Sequence, residues 1–243
     1  MIASLDLGRF PLGVAEREAL TARRAGLRSD AAFARLLLPM RLRTMPLPLP
    51  QLTRAYYFAL WQDEAALERF RAGPLRRWDG AHEHLALTLR PVQSFGAWAG
   101  GDPLAGERSE PRPGPVVLLT HSRTRPRHFA RFLATDRGVV GALHRADGRL
   151  WGDGFIDDPA RFDSGTLSFW RDTAAATAFA YAPGVHRDAV KAQRDGGWFS
   201  ESWFARFAAE AARGGWSGVE AADLLGAGAG GVGAADPGAP VVG

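Results

Sequence analysis

Two stretches, FALWQDEAALERFRAGP (Phe58–Pro74) and LSFWRDTAAATAFAYAP (Leu167–Pro183), decide how this chain is read. Without a gap, Trp61, Asp63, Ala65, Ala66, Phe70 and Pro74 of the first match Trp170, Asp172, Ala174, Ala175, Phe179 and Pro183 of the second, 109 residues on. In each, an aromatic and aliphatic run ends at Trp, as a buried strand would. Two residues later comes an Asp before an alanine-rich segment. That is the place of a helix N-cap, where a carboxylate accepts hydrogen bonds from free first-turn amides. A strand–cap–helix unit that occurs twice predicts an internal repeat.

The ends of the two halves agree as well. FGAWAG (Phe95–Gly100) echoes GGWSG (Gly214–Gly218), with Trp98 and Trp216 lying 118 residues apart. The larger offset gives the second half about nine extra residues between its helix and last strand, around His186–Gly197.

Outward from these anchors, each half reads strand, helix, strand, strand, helix, strand. Ala3–Phe10, Ala32–Leu42, Thr53–Trp61 and His84–Val92 are the expected strands of the first half, with helices at Leu12–Arg24 and from Glu64. In the second, Val116–Thr120 opens as a buried strand and Pro126–Thr135 is helical. Val139–His144 and Leu150–Ile156 read as strands across the Asp147-Gly148 turn, followed by Thr166–Trp170 and Trp198–Ala211. The expected fold is α+β: two tandem ferredoxin-like halves whose sheets either pack face to face or join into one barrel-like sheet, in a dimeric α/β-barrel-like domain. Residues 1–100 form the first half, 101–115 a Gly/Pro-rich linker and 116–218 the second half. Residues 219–243 are expected to be a disordered Gly/Ala tail, too poor in large side chains to offset its ordering entropy.

Composition narrows the chemistry. The chain has 243 residues, 46% of them hydrophobic, enough for a sizeable core. It has no cysteine, which excludes disulfides, thiolate metal sites, iron–sulfur clusters and a Cys-ligated haem. All but one of the 30 basic residues are arginine, the exception being Lys191, and they alternate with acids instead of forming a block. A formal charge of +4 spread this way reads as a solvated surface and not a nucleic-acid interface, though it would favour peripheral association with anionic lipid. No apolar run approaches the ~20 residues of a membrane span, and the N-terminus lacks a secretory pattern, so a cytoplasmic protein is expected. Nucleotide-binding glycine motifs and nucleophile elbows are absent.

Of the six histidines, His186 stands out. It precedes Ala189 and Val190 on a short predicted helix and faces the aromatic run Trp198, Phe199, Trp203, Phe204 and Phe207. One imidazole against an apolar aromatic wall suits the proximal ligand of a haem. Its counterpart in the first half is Arg77, so one site per chain is expected. Arg123, two places past His121 at the end of a buried strand, and Arg206, within the aromatic run, are candidates for a haem propionate, because a guanidinium matches a carboxylate in shape and charge. His82-Glu83-His84 has no third ligand at metal spacing, and Asp153, Asp157, Asp158 and Asp163 do not follow a calcium-loop schedule. Both read as solvated surface.

The order P-x-x-H-R-x-x-V-x-x-x-R-x-x-G-W-F-x-E-x-x-F-A-R-F, spanning Pro183–Phe207, resembles the spheroidene monooxygenase family, densest over Phe169–Gly218 and more loosely over Ala3–Gly218. The resemblance implies a haem-dependent carotenoid oxygenase of the dimeric α/β-barrel type. Haem b would be held by His186, with Arg123, Arg206, Trp198, Phe199 and Phe204 around it. Dioxygen and an electron donor such as a ferredoxin would serve oxidation of an apolar substrate, with hydroxylation twice at one carbon giving a ketone. His121 departs from that pattern, where a small residue is usual; it reads as a distal group or as pocket lining. The alternatives are another haem activity on this fold, peroxidase or aldoxime dehydration, or a non-catalytic haem or small-molecule carrier.

Overall fold

The repeat resolves into one closed barrel. The computed structural model describes residues 1–26, 29–41, 49–181, 191–193 and 195–225. The first half runs β1 (Ile2–Arg9), α1 (Val14–Gly26), β2 (Ala31–Arg41), a two-residue β3 (Leu49–Pro50), β4 (Arg54–Trp61), α2 (Glu64–Ala72) and β5 (Glu83–Gly96). The second runs β6 (Val116–Thr124), α3 (Phe129–His144), β7 (Arg149–Asp158), β8 (Asp163–Trp170), α4 (Thr173–Tyr181), β9 (Phe199–Trp216) and a short β10 (Val219–Glu220). Neighbouring strands are ordered β9-β5-β1-β4-β2-β7-β8-β6, and β6 pairs back onto β9. Eight antiparallel strands thereby close with no exposed edge.

The Trp, Asp and Phe anchors of the sequence repeat occupy the same places in both halves; Pro183 lies outside the described residues. Trp61 and Trp170 end β4 and β8, strands of equal length. Asp63 accepts from the Ala66 amide at 2.8 Å, and Asp172 from the Ala175 amide at 2.7 Å. Trp61 packs on Phe70 at 5.0 Å between ring centroids, and Trp170 on Phe179 at 5.2 Å. The strands around each half follow one order, β5-β1-β4-β2 and β9-β6-β8-β7.

Alternate residues of each strand point inward to a common core. Leu5, Phe58, Leu87, Leu119, Phe169 and Phe207 are all essentially without exposure. Helices α1 and α2 cover the outside of the first half through Ala22, Leu67 and Phe70. Helices α3 and α4 cover the outside of the second through Val140, Leu143 and Ala176.

Residues 101–115 connect the two halves of one barrel, in which β2 pairs with β7 and Leu104 is buried in the core. Two expectations change. Val139–His144 is the last part of α3 and not a strand; the β-branched pair misleads, but Val140 and Leu143 are three apart and both press on the sheet. Residues 219–225 belong to the fold: Val219 pairs with Trp216, and Leu224 of the final helix, Ala221–Leu225, is buried in the same core. The rest of the expected tail lies outside the described residues. Among the described residues no helix is long and apolar enough to cross a membrane.

The long seam between β5 and β9 depends on two glycines. Gly96 has φ +94° and Gly214 φ +80°, the left-handed region that side-chain-bearing residues avoid. A Cβ on Gly96 would stand 2.1 Å from the Ser202 carbonyl oxygen, and one on Gly214 would stand 1.9 Å from that of His84. Gly96→Ala and Gly214→Ala are each expected to lower stability by about 1–3 kcal/mol, read as a fall in the urea midpoint. An unchanged midpoint for both would show that the seam does not need glycine.

Candidate functional site

Register makes the outer faces of the two halves comparable residue by residue. Asp6 lies between Tyr57 and Ala86; Thr120 lies between Thr166 and Phe204. Ser4 lies between Ala59 and Thr88; Leu118 lies between Ser168 and Arg206.

In the first half this face is filled. Arg71 of α2 reaches down to donate from Nη1 to Thr88 Oγ1 at 2.9 Å and from Nη2 to the Leu87 carbonyl at 2.8 Å. Its Nε stands 3.5 Å from Asp6, whose side chain has no exposure. His84 Nε2 approaches Asp6 from the other side at 3.5 Å and its ring packs edge-on near Trp78 at 6.0 Å, so this member of the H-x-H pair is half-buried and not solvated surface. Tyr57 is buried alongside; burial, and then the charge of Asp6, push its phenol pKa well above the usual range.

Among the described residues, the second half lacks this filling. The position of Arg71 is taken by Ala180, and that of Asp6 by Thr120. Thr120 and Thr166 share a hydroxyl–hydroxyl bond of 2.7 Å and remain half-buried, as do Leu118, Phe204 and Arg206. Arg206 stands where Thr88 stands in the first half. Its Nε is buried without a hydrogen-bond partner, and among the described residues it has no ion pair. A buried guanidinium nitrogen without an acceptor costs about 1–3 kcal/mol or more. Cation, hydroxyl pair and apolar flanks together form a face that fits an amphipathic anion.

The structure brings Phe204 and Arg206 of the sequence candidates to this face. Phe204 stacks on Phe95 at 4.9 Å. Phe199 sits nearer α3, against Phe132 at 5.8 Å. Trp198 is buried beneath His128, with Arg131 over its ring at 4.9 Å, and so ties the start of β9 to α3. His186 lies outside the described residues.

Arg123 is directed elsewhere. It binds Asp163 through Nε at 2.7 Å and Nη2 at 2.9 Å, and reaches Glu201 at 3.4 Å. Glu201 in turn accepts from the Ala99 and Gly100 amides. Arg9, Glu83 and the Ser217 amide repeat this arrangement in the first half. Two carboxylates therefore occupy Arg123, and the pair belongs to the barrel architecture.

His121 also lies away from Arg206. It points inward at one mouth of the barrel, fully buried, under the indole of Trp98 at 4.7 Å and 13°. Neither ring nitrogen has a hydrogen-bond partner among the described residues; Nε2 stands 3.9 Å from Asp163. Burial, opposed by the charges of Asp163 and Glu201, lowers its pKa to about 4, so the ring is neutral at pH 7. It is not a distal group for a ligand on the outer face. Asp157 and Asp163 join it, with one ligand atom of each of the three within 4.8 Å of the others. Asp157 accepts from Trp98 Nε1 at 2.9 Å and pairs with Arg35 at 3.4 Å. These aspartates were expected in a solvated loop. The signal against that was the period-two run Trp151, Asp153, Phe155, Asp157, which sets the carboxylates on the inward face of β7.

No protein-family model matches the chain. The chain is 34% identical to spheroidene monooxygenase of Rubrivivax gelatinosus over 172 residues, covering 70% of this chain and 65% of that protein. It is 33% identical to the spheroidene monooxygenase of Rhodobacter capsulatus over 148 residues, covering 60% and 61%. It thus spans less than two thirds of the length of these curated relatives. Among solved structures, an aldoxime dehydratase in complex with butyraldoxime matches with a TM-score of 0.58 at 10% identity, over 86% of this chain and 79% of that one. A second aldoxime dehydratase gives 0.51 at 12% identity, over 86% and 81%. At such identity the likeness is one of fold.

Proposed function

The chain belongs to the spheroidene monooxygenase family, and from that premise we propose that it is a haem b-dependent monooxygenase oxidising an apolar, carotenoid-like substrate. We read the two halves as duplicated ferredoxin-like units, of which only the second has become a cofactor site. The observation that carries the proposal is Arg206: a half-buried cation whose buried Nε has no hydrogen-bond partner among the described residues, on a face whose first-half equivalent is filled by Arg71 and Asp6.

A haem fits this donor set. Arg206 would hold a propionate, Leu118 and Phe204 would offer the apolar ring their side chains, and His186, outside the described residues, would supply the imidazole that binds iron. Bound there, haem would supply dioxygen activation, with electrons from a donor such as a ferredoxin. The protein's own part is to keep the face dry. Phe204, packed on Phe95, restricts water from one edge, and the Thr120–Thr166 pair offers a hydroxyl that can take or give a proton. Trp198 and Phe199 fix where β9 begins, and so where the chain leaving the His186 segment must arrive.

Reconstituted protein is expected to bind one haem per chain in a pyridine haemochrome assay. Arg206→Gln should raise the haem dissociation constant about 10-fold or more, from loss of a charge-assisted bond, while the spectrum of the bound fraction keeps its shape. Two haems per chain, or none, would sink the reading. Turnover of a polyene that needs both dioxygen and reductant supports the oxygenase; haem binding without turnover marks a carrier.

A further inference from the structure

We infer that the barrel mouth beside Trp98 is a second, separate binding site, for a first-row divalent metal ion held by His121, Asp157 and Asp163. The inference does not depend on the haem reading, since these residues face the barrel interior and Arg206 the outside.

The repeat shows what the fold alone requires at these three positions. Register places Leu7 opposite the role of His121, Pro39 opposite that of Asp157 and Arg54 opposite that of Asp163. None of those three could form a neutral-nitrogen and carboxylate ligand set. The neighbouring pair Arg123–Glu201, in contrast, keeps its first-half form as Arg9–Glu83. The mouth has therefore kept its structural residues and gained three ligating ones.

The second observation is the imidazole. A buried neutral ring must carry one N–H and one lone pair, and here both nitrogens lack partners although the side chain has no exposure. Native structures rarely leave such groups unsatisfied. A metal ion would take the lone pair, with the flat contact of Trp98 fixing the ring plane. The carboxylates are already oriented from behind: Asp163 by the Arg123 fork, Asp157 by Trp98 and Arg35. Outer partners of this kind aim metal ligands and leave a lone pair on each oxygen for the ion. Three carboxylates (Asp157, Asp163, Glu201) facing two guanidiniums (Arg35, Arg123) leave a net negative charge for a cation to neutralise. One imidazole and two carboxylates suit Mn²⁺, Fe²⁺, Co²⁺ or Zn²⁺ better than Mg²⁺ or Ca²⁺, which prefer oxygen alone.

The test is titration of Zn²⁺ alone into tag-free, chelator-stripped, haem-free full-length chain, followed by calorimetry. One saturable high-affinity site per chain is expected. His121→Ala should weaken it at least 100-fold, and Asp157→Asn at least 10-fold. His128→Ala, which removes an exposed imidazole, should leave it unchanged. Circular dichroism checks that each variant folds; should His121→Ala fail to fold, Asp157→Asn decides. With Co²⁺ as probe, the parent chain should show visible d–d bands that Asp157→Asn alters. No saturable Zn²⁺ binding by the parent chain, or equal binding by folded His121→Ala or Asp157→Asn, would overturn the assignment.

Discussion

His186→Ala protein, loaded with haemin beside the parent chain, should lose nearly all of its Soret-active complex and remain folded. Two arguments converge on this. The motif Pro183–Phe207 puts a histidine where the family resemblance implies an axial ligand. The face that would receive the haem, with Leu118, Thr120, Phe204 and Arg206, belongs to the same half as that histidine. The first half has Arg77 at the position 109 residues earlier, and its matching face is filled. The histidine and a face left unfilled by the described residues thus occur together, and are absent together. Loss of the proposed iron ligand should raise the dissociation constant by about 100-fold or more, beyond the ~10–100-fold that loss of a ligand's outer partners costs. Imidazole added to the variant should restore part of the spectrum by filling the vacated position. An unchanged spectrum and affinity would place the ligand elsewhere. His121 is not the substitute, since it lies inside the barrel under Trp98; His128 and His144, at the two ends of α3, would be next.

What could be read from the sequence was what local chemistry dictates. Asp63 and Asp172 announced two helix starts because a cap needs a short carboxylate at one defined place, and both make the expected bond. Trp61 and Trp170 announced strand ends, whereas the matching bends of β5 and β9 at Gly96 and Gly214 emerge only from the structure. Closure of the barrel was legible only as an expectation drawn from the repeat. The pairing of Leu38 with Ile156, or of Leu118 with Arg206, joins residues about a hundred positions apart, and nothing local specifies it.

The candidate site divides in the same way. Arg206 was found because a lone arginine in an aromatic run is out of place. Arg123 looked equivalent, and only the three-dimensional neighbours Asp163 and Glu201 show that its charge is already paired. The buried charges of the first half were missed altogether. Asp6 sits in ASLDLG, where Ser4, Asp6 and Gly8 alternate with leucines; that period-two pattern marked a polar outer face, but a carboxylate on a strand ordinarily faces water. The aspartates of β7 were misjudged for the same reason, although their alternation with Trp151 and Phe155 carried the information.

The Asp6–Arg71 pair gives the largest expected effect on stability. Arg71→Ala would leave Asp6 fully buried without its guanidinium, its oxygens accepting no hydrogen bond, and would strip donors from Thr88 and the Leu87 carbonyl. Removing one partner of a buried pair costs about 3–5 kcal/mol, because the remaining charge cannot regain its hydration. For a chain of this size that is a fall in Tm of roughly 10 °C. Asp6→Leu combined with Arg71→Met removes both charges and keeps the volume, so the double variant should recover most of the loss. A fall of under about 1 kcal/mol for Arg71→Ala would mean that water or His84 already compensates Asp6. Haem affinity separates structure from function here: at temperatures where Arg71→Ala stays folded, it should bind haem as the parent chain does, because Arg71 fills the half to which the proposal assigns no haem. A large loss of haem by folded Arg71→Ala would place the site on the first half, and with it overturn the argument from Arg206.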